Sequence, residues 1–334
     1  MKKSLLALAA LGAFAGAAFA QSSVTMYGLI DANVGKDIGS AAKRMGQGAS
    51  SRLGWRGVED LGGGMQAFFQ LENRFTPWNG VTNGGAGTAN GSADTQFQAR
   101  SYVGLRGGWG EVRLGREYNG SFFHSELFGD AWGWDTVAFT IFGAVMRSPV
   151  QQGTNVNSAI TYNSPNMGGF TFTGQIAESN ANCGTRSASP VSGAITFGTC
   201  AERPKSFGAS YAAGPFTIRA GIDNPGNVND QWTSFSSTYD FGAFKLWGFM
   251  GTGKDTANAK HKAYTLQATV PMGAGEFRVG MSKRSVAGTT NVSGLGLAYF
   301  YSLSKRTTLY TDFARNGKAA TEKSGYDFGV RHSF

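Results

Sequence analysis

The sequence predicts an all-β fold, a sixteen-stranded antiparallel transmembrane β-barrel, on three observations. Stretches of about ten residues alternate apolar with polar side chains, the period of a strand that has a different environment on each face. Short glycine-bearing turns take turns with long polar connections along the chain, the asymmetry of barrels whose two ends face different compartments. The 334 residues include 50 Gly and 25 Phe, a composition that suits turns and strands better than helices.

The N-terminus sets the compartment. Lys2 and Lys3 precede an apolar run from Leu5 to Phe19 that ends in Ala18-Phe19-Ala20, the features of a secretory signal peptide. The run is too short for a membrane-spanning helix, so residues 1–20 are expected to be removed and 21–334 to form the barrel domain. No later window of about 18 residues is uninterruptedly apolar, which excludes a helical membrane protein. Without Lys2 and Lys3 the 30 basic residues fall to 28 against 21 acidic, a net charge of +7. The basic residues are single and spaced, with no run of five, so the charge does not read as a nucleic-acid patch.

The strands are expected at 22–35, 49–59, 64–76, 95–107, 110–118, 155–164, 168–178, 204–213, 215–223, 231–241, 243–251, 260–271, 275–285, 291–303, 306–315 and 323–334. Turns such as Asp60-Leu61-Gly62-Gly63 and Met272-Gly273-Ala274-Gly275 carry glycine where positive φ is needed and should face the periplasm. The longer connections, such as 77–94 and 179–203, should be extracellular. Alternation assigns Leu53 and Trp55, then Met65, Ala67, Phe69 and Leu71, to the lipid. It does the same for Phe97, Ala99, Val103 and Leu105, and for Phe216, Ile218, Ala220 and Ile222. On the last strand Tyr326, Phe328, Val330, His332 and Phe334 share the outward parity.

Five segments in order resemble the general porins of betaproteobacteria, the group that includes Bordetella, Burkholderia, Comamonas and Neisseria porins. They are Ser22-Ser-Val-Thr-Met-Tyr-Gly-Leu-Ile-Asp31, Ser51-Arg-Leu-Gly-Trp-Arg-Gly-Val-Glu-Asp-Leu-Gly-Gly-Gly64, Gly110-Glu-Val-Arg-Leu-Gly-Arg116, Ile160-Thr-Tyr-Asn-Ser-Pro165 and Gly329-Val-Arg-His-Ser-Phe334. The resemblance implies a homotrimer of barrels in the outer membrane, each with loop 3 folded into its pore. It also implies contact with lipopolysaccharide and a role for Phe334 as an assembly signal. The expected function is passive diffusion of small hydrophilic solutes and ions, with no catalysis and no cofactor.

Eleven basic residues take the lumen parity: Arg52, Arg56, Arg74, Arg100, Arg106, Arg113, Arg219, Lys245, Arg278, Arg284 and Arg331. Six acids oppose them: Asp31, Glu72, Glu111, Asp223, Glu276 and Asp327. Such a surplus inside a low-dielectric wall favours anions. Loop 3, about 118–154, carries Glu126, Asp130 and Asp135. Facing Arg52, Arg74 and Arg100 across the channel they would set up a transverse field at the constriction; the alternative is that they brace the loop. Arg331 is expected near a rim. Phe122, Phe123, Trp132, Trp134, Phe139 and Phe142 either anchor loop 3 or line a sugar path in a substrate-specific channel.

Cys183 and Cys200, the only cysteines, fall in one extracellular loop on an oxidising export route and read as a disulfide. The three histidines lie in separate elements without metal-site spacing, and no nucleophile-elbow, zincin or phosphate-loop motif occurs. A rival reading is an adhesin or anchor barrel with a plugged lumen. Against it, Gly54, Gly104, Gly208, Gly221 and Gly296 fall on the lumen face and are expected to leave it open.

Overall fold

The computed structural model describes residues 22–82, 96–149, 154–179, 183–186, 195–198, 200–226, 231–255 and 257–334, without side chains for 183–186 and 195–198. The expected leader, residues 1–20, lies outside these. The strands are β1 (Ser23–Lys36), β2 (Lys43–Gly46), β3 (Ser51–Gly62), β4 (Met65–Phe75), β5 (Arg100–Gly107), β6 (Gly110–Tyr118), β7 (Asn155–Asn163), β8 (Phe170–Ala177), β9 (Cys183–Arg186) and β10 (Ile195–Gly198). They continue with β11 (Lys205–Ala213), β12 (Phe216–Asn224), β13 (Gln231–Asp240), β14 (Lys245–Lys254), β15 (Lys260–Met272), β16 (Gly275–Val286), β17 (Thr289–Ser302), β18 (Thr307–Asn316) and β19 (Ser324–Ser333).

Sixteen of these form one closed antiparallel barrel, and each occupies a range expected from alternation. Closure comes from β1 against β19, in register from Leu29↔Ser333 to Lys36↔Tyr326. Two further bonds seal it: Gly28 N–H to the Phe334 carbonyl at 3.0 Å, and Phe334 N–H to the Gly28 carbonyl at 3.1 Å. Each of the sixteen thereby has a hydrogen-bonded neighbour on both sides, the condition for crossing lipid.

Three short strands were not expected. β2 pairs with Asn33–Lys36 of β1, where the β1–β3 pairing has run out at Leu29. β9 and β10 form a separate hairpin in the connection between β8 and β11. The alternation of long and short connections also has an exception on the long-loop side. β16 and β17 are joined by Ala287 and Gly288 alone, at φ 47° and 86°, a two-residue turn with both centres left-handed.

The lipid face follows the expected parity: Val103, Leu105, Ile218, Ile222, Phe328 and Val330 are all exposed on the outer surface. Ala99 departs from it. It is 1 % exposed, because β5 begins only at Arg100 and the Asn155 side chain donates to the Ala99 carbonyl. Near the short turns the rings of Tyr239, Phe241 and Phe244 pack against one another, as do those of Phe277, Tyr299 and Tyr301, an aromatic belt at the membrane interface.

The apolar core lies inside the barrel. Residues 119–149 leave β6 and run along the inner wall through short π- and 3-10-helical turns and one α-helical turn, α1 (Gly143–Met146). The Trp132 and Phe142 rings stack at 4.4 Å and, with Val137, Ala138 and Ile141, pack on Ala298, Phe300, Tyr310 and Ala314. Val145 and Met146 pack on Trp232, Phe249 and Ala263. Full burial of each large apolar side chain is worth roughly 1.5–3 kcal/mol, so the β13–β18 side of the lumen holds loop 3 firmly.

Candidate pore constriction

Hydrogen bonds fix loop 3 from one end to the other. Asn119 donates to Asp223 of β12 at 2.7 Å, and the Gly120 N–H donates to Ser206 of β11 at 2.9 Å. The Ala131 N–H donates to Gln267 of β15 at 2.7 Å. Trp132 Nε1 and the Thr136 hydroxyl both donate to Asp312 of β18, at 2.7 and 2.5 Å. The Val137 N–H donates to Asp327 of β19 at 2.8 Å, and Ser282 of β16 donates to the Ile141 carbonyl. Inward-facing groups of six wall strands thus hold the segment within the lumen.

This placement corrects the reading of the lumen glycines as open space. A Cβ at Gly208 would meet Gly120 and His124; at Gly221, Ser121 and Ser125; at Gly296, Phe142 and Trp132. The room at those three is occupied by loop 3, and that at Gly54 and Gly104 by the rings of Tyr27 and Phe68. The channel is therefore confined to the side that loop 3 leaves uncovered.

On that side Arg52 stands opposite Arg74, and Glu72 opposite Arg100. Arg74 donates to the Tyr118 hydroxyl at 2.6 Å and lies 3.6 Å from Glu72. Arg100 pairs with Glu117 at 3.0 Å and covers the Tyr118 ring at 4.2 Å. Arg113 bridges Glu117 and Glu111, the latter at 2.5 Å. Three arginines are thus interleaved with three carboxylates. By contrast the side chains of Arg52 and Arg219 make no hydrogen bond or ion pair among the described residues. Arg56 meets only the Tyr27 ring at 5.8 Å, and Arg106 donates to neutral Gln66 at 2.7 Å.

The loop acids do not face these arginines as a row. Glu126 is 2 % exposed, accepts from the Ser148 backbone, and burial, with Asp223 beside it, pushes its carboxyl up to about 8. Asp130 is 4 % exposed and accepts from the N–H groups of Trp132 at 3.2 Å and Trp134 at 2.8 Å; burial pushes it up to about 6. Among the described residues Asp135 is the one of the three that forms an ion pair with a wall arginine, Arg331, at 2.9 Å. Burial raises the Asp135 carboxyl while Arg331 and then Arg52 draw it down. Arg331 also pairs with Asp31 at 3.0 Å, so it belongs to this anchor and not to an isolated rim. His124 shares a 2.8 Å hydrogen bond with Thr173, and burial, with Arg219, lowers it to about 4, which keeps the ring neutral.

A model of the Gram-negative porin family matches residues 7–320. The chain belongs to that family. Outer membrane porin protein 32 of Delftia acidovorans is 33% identical to this porin over 100% of both chains. An outer membrane porin of Bordetella pertussis is 27% identical, again over 100% of both. Among solved structures, an anion-selective porin from Comamonas acidovorans superposes with a TM-score of 0.73 at 27% identity, covering 94% of this chain and 100% of its own. OmpF of Salmonella typhi, at 13% identity and a TM-score of 0.67, shares the fold. The protein is an outer-membrane channel, and its relatives are channels rather than enzymes.

Two wall acids that matter to this porin were missed in the sequence. Glu117, 3 % exposed, holds both Arg100 and Arg113, and Asp312, 3 % exposed, holds two groups of loop 3. Both sit on the inward parity of their strands, so alternation contained the signal. The loop 3 aromatics divide: Trp132 and Phe142 are fully buried anchors and Phe122 packs edge-on to Trp134 at 4.6 Å, while Phe128 is 47% exposed.

Proposed function

We propose that this porin conducts small hydrophilic solutes with a preference for anions, and that Arg52, Arg56, Arg106 and Arg219 set the preference. One observation carries the reading: among the described residues these four lumen cations form no ion pair, whereas Glu126 and Asp130 of loop 3 and Asp223 and Asp312 of the wall are buried between loop and wall. An unpaired charge in a narrow low-dielectric passage acts on each passing ion, and the about 10 Å Debye length at 0.1 M salt does not screen it away. Arg74 and Arg100, each beside a carboxylate, shape the wall more than its net field. The transverse field contracts to Asp135 with Arg331 and Arg52, while Glu126 and Asp130 brace the loop.

The test is the reversal potential of the purified porin in a planar bilayer under a salt gradient. Wild type should favour the anion, and Arg52→Glu should shift the potential toward cation preference more than Arg100→Gln does. An Arg52→Glu channel with the wild-type permeability ratio at low salt would remove this residue from the selectivity.

The same reading includes residues 1–20 as an export signal, three copies per assembly, and outer-membrane lipid including lipopolysaccharide around the barrel. It includes a Cys183–Cys200 disulfide, supported by the β9–β10 pairing that sets Cys183 opposite Gly198, two residues from buried Cys200. Alkylation of unreduced protein followed by mass spectrometry decides it; both thiols labelled would reject it. Phe334 is read as the assembly signal, with its ring over Gly28.

A further inference from the structure

Arg284, counted from sequence among the charges facing the channel, is 9% exposed and makes its contacts elsewhere. Its Nη1 donates to the carbonyls of Ala144 at 2.9 Å, Val145 at 3.1 Å and Arg147 at 2.8 Å. These are carbonyls at the C-terminal end of α1, where helical partners run out and a cation is favoured. The guanidinium also lies 5.7 Å from the Trp232 ring, within the cluster that buries Val145 and Met146.

The second amino group, Nη2, lies 3.1 Å from Nδ1 of His261 on β15. A guanidinium only donates, so Nδ1 must be the unprotonated, accepting nitrogen. The ring proton then sits on Nε2, 2.9 Å from Asp255 in the turn between β14 and β15. That turn is on the long-loop end of the barrel, the extracellular side. A continuous path runs from an outer turn through His261 and Arg284 to the C-terminal limb of loop 3.

We propose that Arg284 is the positioning residue that holds this limb against the wall and so fixes the channel's aperture, and that protonation of His261 from the extracellular side weakens the hold. A proton on Nδ1 replaces an accepting lone pair by a donor and sets two cations together. Among the described residues the charged groups facing His261 are Asp255, from the turn, and Arg284, from β16; Asp255 favours the protonated ring and Arg284 opposes it. β14 contributes the Thr252 hydroxyl, which donates to the His261 carbonyl at 3.2 Å, and loop 3 contributes the three carbonyls and the charge of the Glu126 carboxyl, which act on Arg284. Loss of charge-assisted hydrogen bonds to a loop that is otherwise pinned should appear as flicker of the open channel rather than loss of the barrel.

The experiment records single channels of full-length porin in planar bilayers. Arg284→Met should close about tenfold more often than wild type, with an unchanged reversal potential in the open state, and Arg284→Lys should restore much of the quiet opening. His261→Asn keeps an acceptor near the Nδ1 position and cannot titrate. Closing rates of wild type and His261→Asn should agree at about pH 8 and differ about tenfold at about pH 4 on the extracellular side, where the ring carries its second proton, wild type closing more often. Taking the ratio at each pH cancels every other titrating group of loop 3. A quiet Arg284→Met channel with a reversal potential moved toward cations would make Arg284 a selectivity residue and overturn the proposal. An equal pH response in wild type and His261→Asn overturns the coupling. Should Arg284→Met fail to fold, Arg284→Lys and His261→Asn decide both points.

Discussion

Adding one methyl group at Gly296 tests whether the inner wall and loop 3 are packed to contact. A Cβ built there lies 2.6 Å from Phe142 Cε2, 3.1 Å from Phe142 Cζ and 3.3 Å from Trp132 Cζ2. Carbon atoms rest about 3.5–4.0 Å apart, so the rings must retreat by about 1 Å. Neither ring yields alone, because the two stack at 4.4 Å and Trp132 Nε1 is tied to Asp312 at 2.7 Å. The free direction is toward the channel axis. Overpacking of this kind costs about 1–3 kcal/mol, too little to undo a sixteen-stranded wall but enough to shift a loop. Gly296→Ala should therefore fold normally, conduct less per open channel than wild type, and close at lower applied voltage. Gly174→Ala is the control, since a Cβ there meets nothing within 4 Å. The assay is single-channel conductance in a planar bilayer. Wild-type conductance in Gly296→Ala would show that the space beside Gly296 is not filled by loop 3, and increased conductance would show that the remaining anchors do not hold it.

Ile218, 42% exposed on the lipid face, should accept Ala with little loss of folding yield, whereas Ile218→Arg should lower stability by about 2–4 kcal/mol in a lipid-refolding titration. The Glu126 carboxyl is raised to about 8 when loop 3 is docked, so its contribution to docking is complete below the ordinary carboxyl range and fades as pH rises through about 8. Closing rates of wild type and Glu126→Gln should accordingly coincide at about pH 5, with wild type closing more often at about pH 9; coincidence at both would show that the carboxyl is not buried proton-bound. Deleting Phe334 removes two backbone bonds and the ring over Gly28, and should slow acquisition of the folded form on a cold gel, an effect that a Phe334→Tyr chain should not show.

The wall was legible because period-two alternation is a local property. It located all sixteen strands and told outward Ile218 and Phe328 from inward Arg219 and Asp327. Parity tells which side a residue faces but not what fills the space there, and so it leaves Gly221 and Gly296 open where Ser121 and Phe142 occupy the place. Charge pairing was hidden for a related reason. Parity places Glu117 inward, but that it falls beside Arg100 depends on the β5–β6 register, in which Ser101 faces Arg116, and alternation within one strand does not fix that register. Loop 3 lacks a period altogether. Its Trp132, Ile141 and Phe142 form a core only because the barrel supplies the other half, and nothing in residues 119–149 alone shows which strands those are.

The junction of Gly28 with Phe334 has a consequence for biogenesis. Asp31 and Arg331 pair across a separation of 300 residues, so the contacts that join the two ends require the entire chain to have been delivered. Until then the first and last strands present open hydrogen-bonding edges, the surfaces on which stray chains assemble. A product shortened at its C-terminus would keep most of its hairpins and lack the seam. Closure is in this way all or none: the ring forms only when both of its edges are present, and a chain without β19 leaves β1 and β18 as open edges.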